Sequence, residues 1–287
     1  MSDRDNMDVH GSALVTGASR GIGRAVAIEL ANRGFDTLAT MRAPEAGATL
    51  PEETDGHLRV SRIEVTDPST FVFPPDLRVL VNNAGIDTAY LPVEHADIDD
   101  WRQMFETNVF GTVALTAAAI PVLRDNSPSV VCTITSSSII AAVPFYSAYR
   151  ASKAASSAFC DSLRVEVAPF GIRVVEILPG PVDTDMFRLS AGEPEAAAFA
   201  PYRALAEAGA TLRRQHADLR VVTPPAAARV IVDSILDDTG PMRYGCDPVS
   251  FELLDLWRQG DDETVYALTA RSLLDQVVEP PGDGATT

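Results

Sequence analysis

Ser136-Ser137-Ser138 closes an apolar run, and Tyr149-Arg150-Ala151-Ser152-Lys153 opens a segment with helical spacing. On a helix, Tyr149 and Lys153 share one face, a single turn apart. Lys153 is the only lysine among the 23 basic residues, the others all being arginine. Arginine is a rigid fork and lysine a compact point charge on a flexible stem, so one lysine kept in an arginine-rich chain points to a chemical need for the ammonium. A free phenol, with a pKa of about 10, exchanges protons poorly at neutral pH. A cation one helical turn away favours the phenolate and is expected to bring that pKa down. The phenol can then donate to a carbonyl oxygen or accept from an alcohol. Ser136, arriving from a strand end, can hydrogen-bond the same oxygen and hold it in place. Taken alone, the stretch is equally compatible with a surface Tyr–Lys pair beside a serine-rich turn.

Upstream, Ser12 to Thr16 reads as a buried strand running into Gly17-Ala18-Ser19-Arg20-Gly21-Ile22-Gly23. Ile22, Val26 and Leu30 then mark one face of a helix, and Gly34 suits its C-terminal cap. Strand, glycine turn and helix in that order place free N–H groups and a positive helix end where a phosphate can sit. The spacing is G-x3-G-x-G, and without its strand–helix context it would read as a tight turn. The next strand, Phe35 to Thr40, ends in Met41-Arg42. No carboxylate occupies the position that holds a ribose 2′-hydroxyl in NAD sites, and an arginine there accommodates a 2′-phosphate. Arg42 and Arg20 could each contribute a charged hydrogen bond of roughly 1.5–3 kcal/mol before allowance for exposure. NADP(H) is therefore expected ahead of NAD(H), the alternative being two solvated surface arginines.

The rest of the chain alternates strands and helices. A strand at Leu58 to Ile63 leads into Glu64-Val65-Thr66-Asp67, and a short connection bearing Pro68, Pro74 and Pro75 leaves little room for a helix before the strand Val79 to Val81. Asn82-Asn83-Ala84-Gly85 ends that strand. A helical segment spans Asp97 to Leu123 and contains Asn108; the strand Val130 to Thr135 delivers Ser136. The helix of Tyr149 and Lys153 runs to about Ala168, and the strand Val174 to Leu178 enters Pro179-Gly180-Pro181-Val182-Asp183-Thr184. This alternation predicts an α/β fold, a doubly wound parallel sheet whose strand C-terminal ends line the ligand crevice. Met186 to Val222 is alanine-rich and broken by glycine and proline, either a lid over the crevice or an ordinary surface excursion. Thr223-Pro224-Pro225 starts a helix to Leu236, Met242 to Gly245 suggests a last strand, and two short helices could follow. Gln276 to Thr287 reads as a frayed tail. With no internal repeat and no linker, residues 1–287 are expected to form a single domain.

Composition narrows the partners. A net charge of −17 argues against nucleic acid or an anionic membrane surface and disfavours a strongly acidic carrier protein. Three scattered cysteines read as reduced packing residues, and neither they nor the four histidines have metal-type spacing, so no metal is expected. The acidic, polar start from Met1 to His10 is unlike a signal peptide, and the apolar stretch Gly111 to Leu123 is too short to span a bilayer. A cytoplasmic location follows as an expectation.

Thr16 to Gly23, Asn82-Asn83-Ala84-Gly85, Asn108, Ser136, Tyr149 with Lys153, and Pro179-Gly180 leading to Thr184 together resemble the short-chain dehydrogenase/reductase family, over Ala13 to Thr184. The resemblance implies a Rossmann fold of about seven strands that binds a nicotinamide cofactor. It implies that Tyr149 is the general acid/base, that Lys153 lowers its pKa and binds the nicotinamide ribose, that Ser136 orients the substrate oxygen, and that Asn108 supports a proton relay. By the same resemblance Gly17, Ser19, Arg20, Gly21, Ile22 and Gly23 meet the cofactor phosphates and ribose. Asn83, Ala84 and Gly85 pass its adenosine side, Pro179, Gly180, Val182 and Thr184 its nicotinamide, and Glu64 and Val65 stand in the adenine pocket, where relatives more often carry Asp-Val. Thr223-Pro224-Pro225, Met242-Arg243-Tyr244 and Phe251-Glu252-Leu253-Leu254 are similar to bacterial relatives of hydroxysteroid and retinol dehydrogenases, which implies a lipophilic alcohol or ketone as substrate. The implied reaction is hydride transfer between NADP(H) and a secondary alcohol or ketone. A nucleotide-binding sensor without turnover is the alternative, and a nucleotide-sugar epimerase ranks below both. Apolar character on more than one face of Trp101 to Leu123 and Tyr149 to Val167 implies a partner surface, and the resemblance implies a homodimer or homotetramer built from those helices.

Overall fold

Seven short apolar runs, each bounded by glycine, proline or a helix, become the seven strands of one parallel sheet. The computed structural model describes residues 7–54, 57–191, 195–260, 262–267, 270 and 274, without the side chains of 191, 212–219 and 262. The strands are β1 (Ser12–Thr16), β2 (Asp36–Met41), β3 (Leu58–Arg62), β4 (Leu77–Asn82), β5 (Ser129–Ile134), β6 (Ile172–Ile177) and β7 (Arg243–Tyr244), in the order β3-β2-β1-β4-β5-β6-β7. The helices are α1 (Gly21–Arg33), α2 (Ile98–Phe105), α3 (Thr112–Asp125), α4 (Ser147–Val167), α5 (Asp185–Ala191), α6 (Arg203–Arg220), α7 (Pro224–Leu236), α8 (Pro248–Gln259) and α9 (Asp262–Tyr266).

Side chains alternate across a strand, and a parallel sheet covered on both faces is apolar on both. Ala13, Val15, Val81, Cys132 and Val175 face one way, into a core closed by Leu30 of α1 and Ile231 and Ile235 of α7. Leu14, Leu80, Val131 and Val174 face the other, against Leu115 and Leu123 of α3 and Cys160 and Leu163 of α4. Gly34 caps α1 at φ +108°, and Thr223 caps α7 by accepting the Ala226 N–H. The proline-bearing connection before β4 holds only a 3₁₀ turn at Pro68–Thr70. Phe71 and Phe73, their rings edge to face with centroids 5.2 Å apart, pack onto the second core there.

One expectation needs correcting. The helix read as continuous from Asp97 to Leu123 is divided by a π-helical turn at Glu106–Gly111. Gly111 lies so close to Val65 that a Cβ on it would stand 2.9 Å from Val65 Cγ2. In this turn the Asn108 carbonyl accepts the hydroxyls of both Thr112 and Ser156. The whole helical run, Ile98–Asp125, is 28 residues and contains an 18-residue window with a mean hydropathy of 1.3, long and apolar enough to cross a bilayer by length and composition. Here it is a layer of the fold, since Leu115, Ala119 and Leu123 are buried against the sheet. The tail expected at Gln276 to Thr287 lies outside the described residues.

Candidate active site

β1 and β4 part at the point where the strand order reverses, and their C-terminal ends are bolted together by side chains. Thr16 Oγ1 accepts the N–H groups of Asn83 (3.0 Å) and Ala84 (2.9 Å). Asn83 Nδ2 donates to the carbonyls of Thr16 (2.9 Å) and Gly17 (3.2 Å). Gly17 and Gly21 have φ of +63° and +58°, where a side chain would be strained. At Gly23 a Cβ would sit 2.2 Å from Asn83 Nδ2 and 2.6 Å from the Gly17 carbonyl oxygen. α1 starts from Arg20 with no side-chain cap and no acidic residue in its first turn. Its leading N–H groups have no intrahelical acceptor, the arrangement that receives a phosphate.

A cavity of about 470 Å³ extends from this turn to the ends of β5 and β6 and reaches Ser136, Tyr149 and Lys153. The geometry keeps the trio together. Lys153 is buried, its Nζ 5.8 Å from the centre of the Tyr149 ring and donating to the Ile134 carbonyl at 2.9 Å. Burial holds the Lys153 ammonium down to about 8, against the opposing pull of the Asp87 charge. Tyr149 does not behave as the sequence suggested. Burial pushes its phenol above the ordinary value and the Asp87 charge adds to that, while a hydrogen bond with Ser136 pulls it back. Desolvation of the buried phenol therefore sets the direction of its shift.

The cavity also collects Gly17, Ser19, Arg20, Gly21, Ile22 and Gly23, Arg42, Glu64 and Val65, Asn83 to Gly85, and Pro179, Gly180, Val182 and Thr184. Arg42 follows β2 directly and is exposed; Arg20 Nη1 lies 3.5 Å from Asp185 Oδ2, an ion pair that sequence reasoning missed. Asn108 stands behind the wall. Its Oδ1 accepts the Ile86 N–H (2.8 Å), and its Nδ2 donates to the Ile86 carbonyl (2.9 Å) and Ser152 Oγ (3.1 Å). A Cβ on Gly85 would meet Asn108 Oδ1 at 3.2 Å and Lys153 Nζ at 3.5 Å, so all three groups converge.

Other residues at the site gave no signal in the sequence. Asp87 and Tyr90 line the cavity, with the Tyr90 hydroxyl donating to Asp87 Oδ2. Asp247, buried at the start of α8, accepts the Gly180 N–H at 2.6 Å and caps its own helix through Val249 N and Ser250 N. It fixes the Pro179–Gly180 turn from 67 positions away. Val222 accepts the Asp183 N–H at 2.9 Å and donates to the Pro181 carbonyl at 3.2 Å, closing the base of the excursion between them. Among the described residues no group of three or more His, Cys, Asp or Glu could hold a metal ion.

Comparison with known proteins agrees with this geometry. The short chain dehydrogenase family profile matches residues 12–194. Sulfoacetaldehyde reductase of Chromohalobacter salexigens is 34% identical over 203 residues, 66% of this chain and 79% of that protein. The NADPH-dependent 1-acyldihydroxyacetone phosphate reductase of Schizosaccharomyces pombe is 32% identical over 217 residues, 69% of this chain and 71% of that one. A short-chain dehydrogenase crystal structure from Streptomyces avermitilis superposes with a TM-score of 0.70 at 28% identity, covering 93% of this chain and 99% of its own. With its glycine turn, its seven-stranded sheet and this match over most of its length, the chain belongs to the short-chain dehydrogenase/reductase family of oxidoreductases.

Proposed function

We propose that this protein is an NADP(H)-dependent carbonyl reductase/alcohol dehydrogenase. The observation that carries the reading is one cavity holding a phosphate-type glycine turn at one end and Ser136, Tyr149 and Lys153 at the other. The glycines that admit no Cβ and the uncapped start of α1 fit a dinucleotide phosphate, and Arg42 with Arg20 suits a 2′-phosphate. The NADPH-dependent relative supports the same choice. When bound, the nicotinamide supplies or accepts hydride.

The chain's own residues do the rest. Tyr149, its pKa raised by burial, holds its proton at neutral pH and can give it to a carbonyl oxygen. Ser136 hydrogen-bonds that phenol and is placed to orient the same oxygen. Lys153, held down to about 8, is close enough to neutrality to pass a proton inward, and Asn108 fixes the Ile86 segment beside it. The segment 186–222, pinned at its base by Val182 and Val222, is the proposed lid within a single 1–287 domain. Val143, Met186, Phe187 and Leu253 line the cavity and suit a lipophilic substrate body. A cytoplasmic location and a homodimer or homotetramer belong to the same reading. Following NADPH and NADH oxidation over a ketone panel tests it. NADPH should be preferred, and Arg42→Ala should raise the NADPH KM about tenfold while leaving NADH nearly unchanged. Equal use of both cofactors by the wild type would refute the cofactor assignment.

A further inference from the structure

Asp87 belongs to the segment after β4 and lines the same cavity as Tyr149. Its carboxylate accepts the Thr88 N–H at Oδ1 (2.9 Å) and the Tyr90 hydroxyl at Oδ2. Both donors are neutral. Among the described residues it takes part in no ion pair; the Lys153 ammonium, which donates to the Ile134 carbonyl, acts on it only through space. A partly buried carboxylate whose hydrogen-bond donors are all neutral favours a cationic visitor that can contact it directly.

The surroundings favour the same visitor. The Tyr90 ring stacks on Tyr146 with centroids 4.4 Å apart and 24° between planes, and Tyr146 meets Tyr149 edge-on at 6.4 Å. Three phenol rings thus run from Asp87 to Tyr149, and such rings attract ammonium groups. The apolar residues Val143, Met186, Phe187 and Leu253 belong to the same cavity. We infer that Asp87, with Tyr90 and Tyr146, forms the substrate-recognition subsite and takes a protonated amine, so that the substrates are amphiphilic amino alcohols or amino ketones. The inference rests on the reading of Tyr149 as the group that exchanges the substrate's proton. Burial pushes the Asp87 carboxyl up, and its charge pushes the Tyr149 phenol up. A cation bound between them relieves both effects, so this substrate class also helps activate the phenol. The net charge of −17 draws cations to the molecule as a whole.

The test compares two alcohols of the same shape, dimethylaminomethyl phenyl carbinol, which is protonated at neutral pH, and isobutyl phenyl carbinol, which is not. Each is titrated calorimetrically into the protein saturated with NADP. The wild type should bind the amine about tenfold tighter, and Asp87→Asn should remove that preference while leaving the isobutyl affinity unchanged. Equal affinities in the wild type, or a preference that survives Asp87→Asn, would overturn the assignment. Thermal melting checks that the variant folds, with Asp87→Ser as substitute if it does not; the wild-type comparison needs no variant. Oxidation of NADPH by isobutyl phenyl ketone tests the underlying reaction separately, because loss of turnover with the binding preference intact faults the reaction and leaves the subsite standing.

Discussion

Burial holds the Lys153 ammonium at about 8, against 10.5 for an ordinary lysine. In that window the unfolded chain binds a proton that the folded protein does not, so this residue's contribution to stability rises with pH from about 8 to 10.5. The cost is present in full below pH 8. Thermal melting should therefore show the wild type gaining on Lys153→Met as pH rises from about 8 to 10; a constant difference would mean that Lys153 is not desolvated. The sequence displayed this residue because it is the only lysine in the chain, and it displayed Tyr149 through helical spacing. The direction of the phenol's shift was not legible, since it depends on burial and on Asp87, which the fold brings in from β4's loop. Asp87 and Tyr90 left no trace because a loop has no periodicity to betray which side chains face a cavity.

At the level of elements, the glycine turn was readable almost whole, because Gly17, Gly21 and Gly23 are required by backbone geometry that few sequences imitate. The partner that enforces it, Asn83, was legible only as part of a motif; its two bonds to Thr16 and Gly17 carbonyls appear in the structure. Gly23→Ala should lower the melting temperature and weaken NADPH binding at least tenfold, because the added methyl meets the Gly17 carbonyl at 2.6 Å as well as the movable Asn83 amide. Fluorescence titration of NADPH would show it, and unchanged affinity would argue against a cofactor at this turn. Strand positions came within one or two residues of those read from apolar runs. The π-turn at Glu106–Gly111 did not, since a helical period leaves it no separate signature and Gly111's contact with Val65 is tertiary. The Asp247 anchor of Gly180 was hidden for the same reason, being a contact across 67 positions.

Across the whole molecule, α3 and α4 turn surfaces of small and apolar residues outward. Phe110, in the π-turn before α3, is 57% exposed and Val165 of α4 is 75% exposed, with Ala117, Ala118, Ala154 and Ala158 also at the surface. Small residues let helices approach closely, and a second copy would cover this face. Val165→Asp with Phe110→Asp should shift the protein to monomer in light scattering with little change in far-UV circular dichroism; an unchanged mass would place the contact elsewhere. The central claim concerns one proton. Single-turnover reduction of a ketone by Tyr149→Phe, with NADPH binding followed on the same sample, tests it most directly. The account predicts hydride transfer slowed at least about a thousandfold with NADPH affinity unchanged; a variant that turns over at the wild-type rate would contradict it.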